Sequence, residues 1–78
     1  MNATVVVLLI TGHGARELSL HTRREQAERA LLEVGFALWV ARFSYRPEAW
    51  ARGDASSLRE ALEAEGWTVT LGEQVVEL

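Results

Sequence analysis

The chain opens on an unbroken apolar run. Thr4 to Thr11 is β-branched or aliphatic at every position, the composition of a strand. Gly12-His13-Gly14-Ala15 follows, and then Glu17-Leu18-Ser19-Leu20-His21 alternates polar and apolar. The His13-Gly14 pair resembles the Asn-Gly pairs of tight hairpins, whose two central residues both take positive φ. Such a turn pairs Leu9 with Leu18, Val7 with Leu20 and Val5 with Thr22. One face then carries Val5, Val7, Leu9, Leu18 and Leu20. The other carries Val6, Leu8 and Ile10 beside Glu17, Ser19 and His21. A strand apolar on both sides is normally central or covered twice.

At Thr22 the period changes. Thr22-Arg23-Arg24-Glu25 matches a capping box, so a helix is expected from Arg23, with Ala27, Ala30, Leu31, Val34 and Leu38 inward. Beyond Val34 the sequence is apolar all round. It fits a helix running to about Arg42 with Gly35 tolerated, or a helix stopped at Gly35 and a buried strand from Phe36 to Phe43; the long helix is the expectation carried forward. Tyr45 to Gly53, with the only proline, reads as a connection. Ser57-Leu58-Arg59-Glu60 is a second capping box, opening a short helix with Leu58, Ala61 and Leu62 inward, and Gly66 falls at its C-terminal cap. Trp67 to Leu78 reads as a second hairpin about Gly72-Glu73, pairing Val69 with Val76 and Trp67 with Leu78.

The expected fold is therefore a single α+β domain over residues 1–78. Its antiparallel sheet follows ββααββ order, with both helices on one face. The second face is left open, and Val6, Leu8, Ile10 and Val75 are assigned to it. A homodimer through that face, or through the apolar end of the first helix, would cover it. Trp39 and Trp50 join Val6, Leu8 and Ile10 as candidate interface residues, since aromatics are enriched at contact surfaces; core packing is the alternative use of Trp39.

Composition sharpens this picture. A domain of 78 residues buries only about 60–65% of its unfolded surface, so its core is marginal without a further contribution. The chain has no cysteine, which removes disulfides and thiolate metal sites, and self-association remains. No stretch reaches the roughly 18 apolar residues of a membrane span, and Val5 to Ile10 lacks the basic flank and cleavage site of a signal peptide. The cytoplasm is the expected location. All eight basic residues are arginine, seven of them between His13 and Arg52, whereas Gly53 to Leu78 holds six acids against one arginine. The net charge of −3 argues against general nucleic-acid affinity. The arginine-bearing half still suits an acidic partner, including the acidic half of a neighbouring copy.

Candidate chemistry is sparse. Gly12-His13-Gly14 lacks both the dinucleotide fingerprint and the P-loop lysine, and the next helix signal comes ten residues on. His13, Glu17 and His21 lie on one strand, where a spacing of four residues separates side chains by about 13 Å, too far to share a metal ion. Ser19, Ser44, Ser56 and Ser57 occur in no nucleophile elbow. No catalytic residue, metal site or cofactor is assigned. His13, Arg16, Arg23 and Arg24 are the candidate anion-binding group, with ion pairing to Glu25, Glu28 and Glu33 as the alternative use of the arginines.

Two resemblances add to this. Gly12-His13-Gly14 with Ser19-Leu20-His21-Thr22-Arg23-Arg24-Glu25-Gln26-Ala27 resembles small uncharacterised bacterial proteins that combine a His-Gly hairpin, a Thr-x-x-Glu-x-Ala helix and a later tryptophan, matched here by Trp39. The likeness covers about half the chain and implies the hairpin-helix arrangement. Leu8-Leu9-Ile10-Thr11-Gly12-His13-Gly14-Ala15-Arg16-Glu17 is similar to the opening strand and loop of sirohydrochlorin-type cobalt or iron chelatases. That resemblance implies a metal-handling role for His13. The sequence departs from the chelatase pattern at once: Glu-Leu-Ser-Leu-His replaces the expected helix, no second histidine follows Thr22, and the chain is short for that family's parallel sheet. The expectation is a non-catalytic binding or regulatory module acting as a homodimer, with a protein partner. The alternatives are a small anion- or metal-dependent enzyme centred on His13 and Arg16, and a nucleic-acid module using the early arginines.

Overall fold

A computed structural model describes residues 1–46 and 53–77. Five elements follow one another: β1 (Asn2–Gly12), β2 (Ala15–His21), α1 (Arg24–Phe43), α2 (Ala55–Ala64) and β3 (Thr68–Glu77). The sheet is antiparallel in the order β2-β1-β3, so the fold is α+β. No helix among the described residues is long and apolar enough to cross a membrane.

The first hairpin has the expected register, with Leu9 opposite Leu18 and Val7 opposite Leu20, closed by Gly12 and Ala15; the ladder ends at Val6↔His21, one pair short of Val5 with Thr22. His13 and Gly14 take φ of 50° and 81°, the positive pair a type I′ turn requires. The second hairpin does not form. Gly72-Glu73 lies inside one continuous strand, β3, which pairs with β1 from Asn2↔Glu77 to Thr11↔Thr68. Val69 thus faces Ile10 and Val76 faces Ala3 in place of each other, and the expected partner of Trp67, Leu78, falls outside the described residues. The order is ββααβ. A strand apolar on both sides needs neighbours on both edges, and a full-length β3 satisfies the second edge of β1 where a folded-back hairpin would leave part of it open.

Both helices cover the same side, but not the side expected. Val6, Leu8 and Ile10 are buried beneath them, and Val69 and Leu71 of β3 fall on that side too. The outward face instead carries Val5, Val7 and Leu9 with Leu18, Leu20 and Val76. Either side is apolar over two adjacent strands, so alternation alone does not choose between them. The connection does. α2 ends in a turn in which Trp67 N–H donates to Leu62 C=O and Gly66 N–H to Glu63 C=O, with Gly66 at φ 101°. This is the Schellman arrangement expected of Gly66, and it lays α2 over the start of β3 with Trp67 and Val69 beneath. Val75, on the helix side opposite Thr4, lies beyond their cover and is exposed.

The long reading of α1 holds, but its start and inward face differ from the sequence expectation. Arg23 is the N-cap and receives no side-chain cap; the Thr22 hydroxyl donates to Gln26 Oε1 at 2.9 Å instead of closing a capping box. α2 is capped by Asp54, whose carboxylate accepts from Ser56 N–H and from the Ser57 hydroxyl, in place of the Ser57 box. The buried row of α1 is Ala27, Leu31, Gly35 and Trp39, at steps of four, with Ala30, Val34 and Leu38 half-buried beside it. Gly35 sets that shift. A Cβ there would stand 3.0 Å from Leu62 Cδ1 and 3.1 Å from Leu58 Cδ2, so its absence lets α1 and α2 close on each other.

Candidate functional site

The hairpin turn does not hang free. Gly12, at φ 144°, lies so close to the start of β3 that a Cβ would come within 2.9 Å of Trp67 Cα. This brings the His13 ring over Gly66, and Nε2 donates to the Glu65 carbonyl at 2.7 Å. A carbonyl only accepts, so the bond fixes the ring tautomer with hydrogen on Nε2. The ring also meets Trp67 edge-on, 4.6 Å between centroids at 73°. His13 thereby satisfies a carbonyl just past the C-terminus of α2.

A cleft of about 240 Å³ opens beside this clasp, lined by His13, Leu38, Arg42 and Trp67 among others. Behind it Trp39, Phe43 and Trp67 pack as an aromatic group, Trp39 lying 4.8 Å from Phe43 and 6.3 Å from Trp67, with Tyr45 at its edge. Trp39 is buried, as core packing requires of it, and is not an exposed anchor. The indole Nε1 atoms of Trp39 and Trp67 are both buried and find no acceptor among the described residues. Trp50, the other tryptophan assigned to an interface, lies outside the described residues.

The four candidate anion ligands are not brought together. Arg16 lies opposite Thr11 on the outward face of the sheet, exposed, while His13 turns towards α2. Arg23 and Arg24 sit past the far end of β2, a strand of seven residues and roughly 24 Å from the turn. Arg24 pairs with Glu28 at 3.3 Å, the ordinary helix-surface use of such an arginine. His21 is held by Ser19, Nε2 to Oγ 2.8 Å, at the opposite end of β2 from His13. Among the described residues no group of three metal-ligating side chains converges.

What the structure does bring together is the outward face of the sheet. Leu18 and Leu20 are 58% and 62% exposed, and Val76 38%, around the half-buried Val5, Val7 and Leu9. Arg16, Thr68, Thr70 and Gln74 border them. The alternation of β2 already marks its leucines as one face; only the side taken by the helices was hidden. The two sheet edges also differ. Val69, opposite Ile10 on β3, has its carbonyl held by Arg59 of α2 at 3.0 Å. β2 is the other edge, and no other described strand pairs with it.

Comparisons with protein-family models, with curated proteins and with solved structures return no match.

Proposed function

We propose that this protein is a small non-catalytic binding module that acts as a homodimer and presents the outward face of its sheet to a macromolecular partner. The observation that carries this reading is the pair of leucines on β2, more than half exposed on a strand whose valine and leucine neighbours are themselves only half covered. An apolar sheet face rimmed by polar residues is the kind of surface that soluble proteins use for association. The small core adds a second reason, because self-association is the contribution left to a cysteine-free domain of this length. His13 supports the non-catalytic part of the reading, since its Nε2 is engaged by the Glu65 carbonyl and Arg16 lies on a different side of the sheet.

The test compares the wild-type protein with Leu18→Glu/Leu20→Glu by light scattering after size exclusion. The expected result is a wild-type mass near twice the 8.7 kDa chain and a monomeric variant with the same far-ultraviolet circular dichroism. A variant that keeps the wild-type mass would sink the assignment of these leucines.

A further inference from the structure

We infer that the second copy joins edge to edge along β2, antiparallel about Ser19, so that two three-stranded sheets become one of six strands. This rests on the homodimer reading above and adds where and in which register the copies meet.

The hydrogen-bond phase of the hairpin is the starting point. In a two-residue hairpin the closing pair, here Gly12 and Ala15, exchanges backbone bonds, and the antiparallel ladder then alternates. The inward-bonded positions of β2 are therefore Ala15, Glu17, Ser19 and His21. The backbone groups of Arg16, Leu18 and Leu20 point away from β1, towards the open edge. An arriving copy has to match this set with its own.

Four two-fold registers do so within the strand, centred on residue 17, 18, 19 or 20, and centring on Glu17 sets the two Glu17 carboxylates against each other. Centring on Leu18 sets Arg16 opposite Leu20 and Glu17 opposite Ser19. Centring on Leu20 leaves only residues 19 to 21 of each copy paired within β2, because the chain enters α1 at Arg24. Centring on Ser19 sets Leu18 opposite Leu20 of the other copy twice, on the outward face. On the helix-side face it sets Glu17 opposite His21 twice. That register alone combines apolar pairs on the apolar side with acid-imidazole pairs on the polar side, the matching that stabilises neighbouring strands. The strand is complementary to itself, as a two-fold contact requires.

The other edge does not serve. β3 carries Glu73 and Glu77 and no basic residue, so no register gives it an opposite-charge pair. Its outward carbonyl at Val69 is already taken by Arg59, in the way native folds close an edge against pairing. On β2 no other described strand pairs with the open edge. Joined along it, the apolar faces of the two copies become one continuous surface, larger than either offers alone.

The chain has no cysteine, so a single introduced thiol reports this geometry directly. In the Ser19 register the two residues 19 form a pair without backbone bonds, with Cα atoms about 4.5 Å apart, within disulfide range. Ser19→Cys under mild oxidation is expected to give a covalent dimer in near-quantitative yield at concentrations where Val7→Cys, in the centre of the outward face, gives little. If scattering shows a dimer but Val7→Cys cross-links and Ser19→Cys does not, edge pairing is overturned while the homodimer stands. A wild-type monomer would overturn both. Charge exchange gives a readout that needs no thiol. Glu17→Arg is expected to raise the dimer dissociation constant about tenfold, two cross-strand pairs being lost per dimer, and adding His21→Glu to restore it. Failure of that rescue counts against the register.

Discussion

Replacing His13 by asparagine separates a structural role for this residue from a ligand-handling one. Asparagine adopts the left-handed conformation that His13 holds at φ 50°, so the turn itself is kept. What is lost is the bond to the Glu65 carbonyl and the edge-on contact with Trp67. The bond is exposed, so water replaces part of it, and its share is about 0.5 kcal/mol, the low end for such bonds. The ring contact adds about 0.5–1.5 kcal/mol. The sum, about 1–2 kcal/mol, corresponds to a fall in Tm of very roughly 4–16 °C in a domain of this size. Urea unfolding followed by tryptophan fluorescence, with both proteins at one concentration so that association does not confuse the comparison, measures it. A His13→Asn protein within about 0.5 kcal/mol of wild type, the ordinary scatter of surface changes, would refute the clasp. Lost binding of an anion or metal with unchanged stability would instead favour the enzyme reading.

Gly12→Ala is expected to cost about 3 kcal/mol or more in urea unfolding, since it combines an unfavourable backbone at φ 144° with a clash against the immovable Trp67 Cα. Gly35→Ala gains about 1 kcal/mol of helix propensity but presses on the fully buried Leu58 and Leu62; a net loss is expected, and a gain in Tm would show that the α1–α2 contact has slack. Arg59→Ala is expected to lower stability by about 1 kcal/mol and to raise aggregation on heating, read by turbidity, because it uncovers the β3 edge at Val69.

The sequence discloses those features that are local. The His13-Gly14 turn, the hairpin register, the long α1 and the glycine cap at Gly66 each follow from a few adjacent residues, and each is present in the structure. The features it concealed depend on contacts between distant residues. Gly72-Glu73 is a plausible turn taken alone, but pairing along the length of β1 makes it mid-strand. The two apolar sides of β1 are equivalent in sequence, and only the tight α2–β3 turn decides that Val6, Leu8 and Ile10 go inward. Gly35 reads as a tolerated interruption until α2 is seen against it. At the site, the chemistry of the His13 imidazole is legible in the sequence, yet its partner is the backbone carbonyl of Glu65, which no side-chain motif signals. The leucines of β2 form one face by alternation, but their exposure depends on which side of the sheet the helices take, which alternation does not encode.

Sedimentation equilibrium of the wild-type chain over a wide concentration range tests the central claim, that this chain acts as a homodimer, most directly. The account predicts a reversible monomer–dimer equilibrium with a limiting mass twice that of the 8.7 kDa chain. A single 8.7 kDa species at every concentration would contradict it.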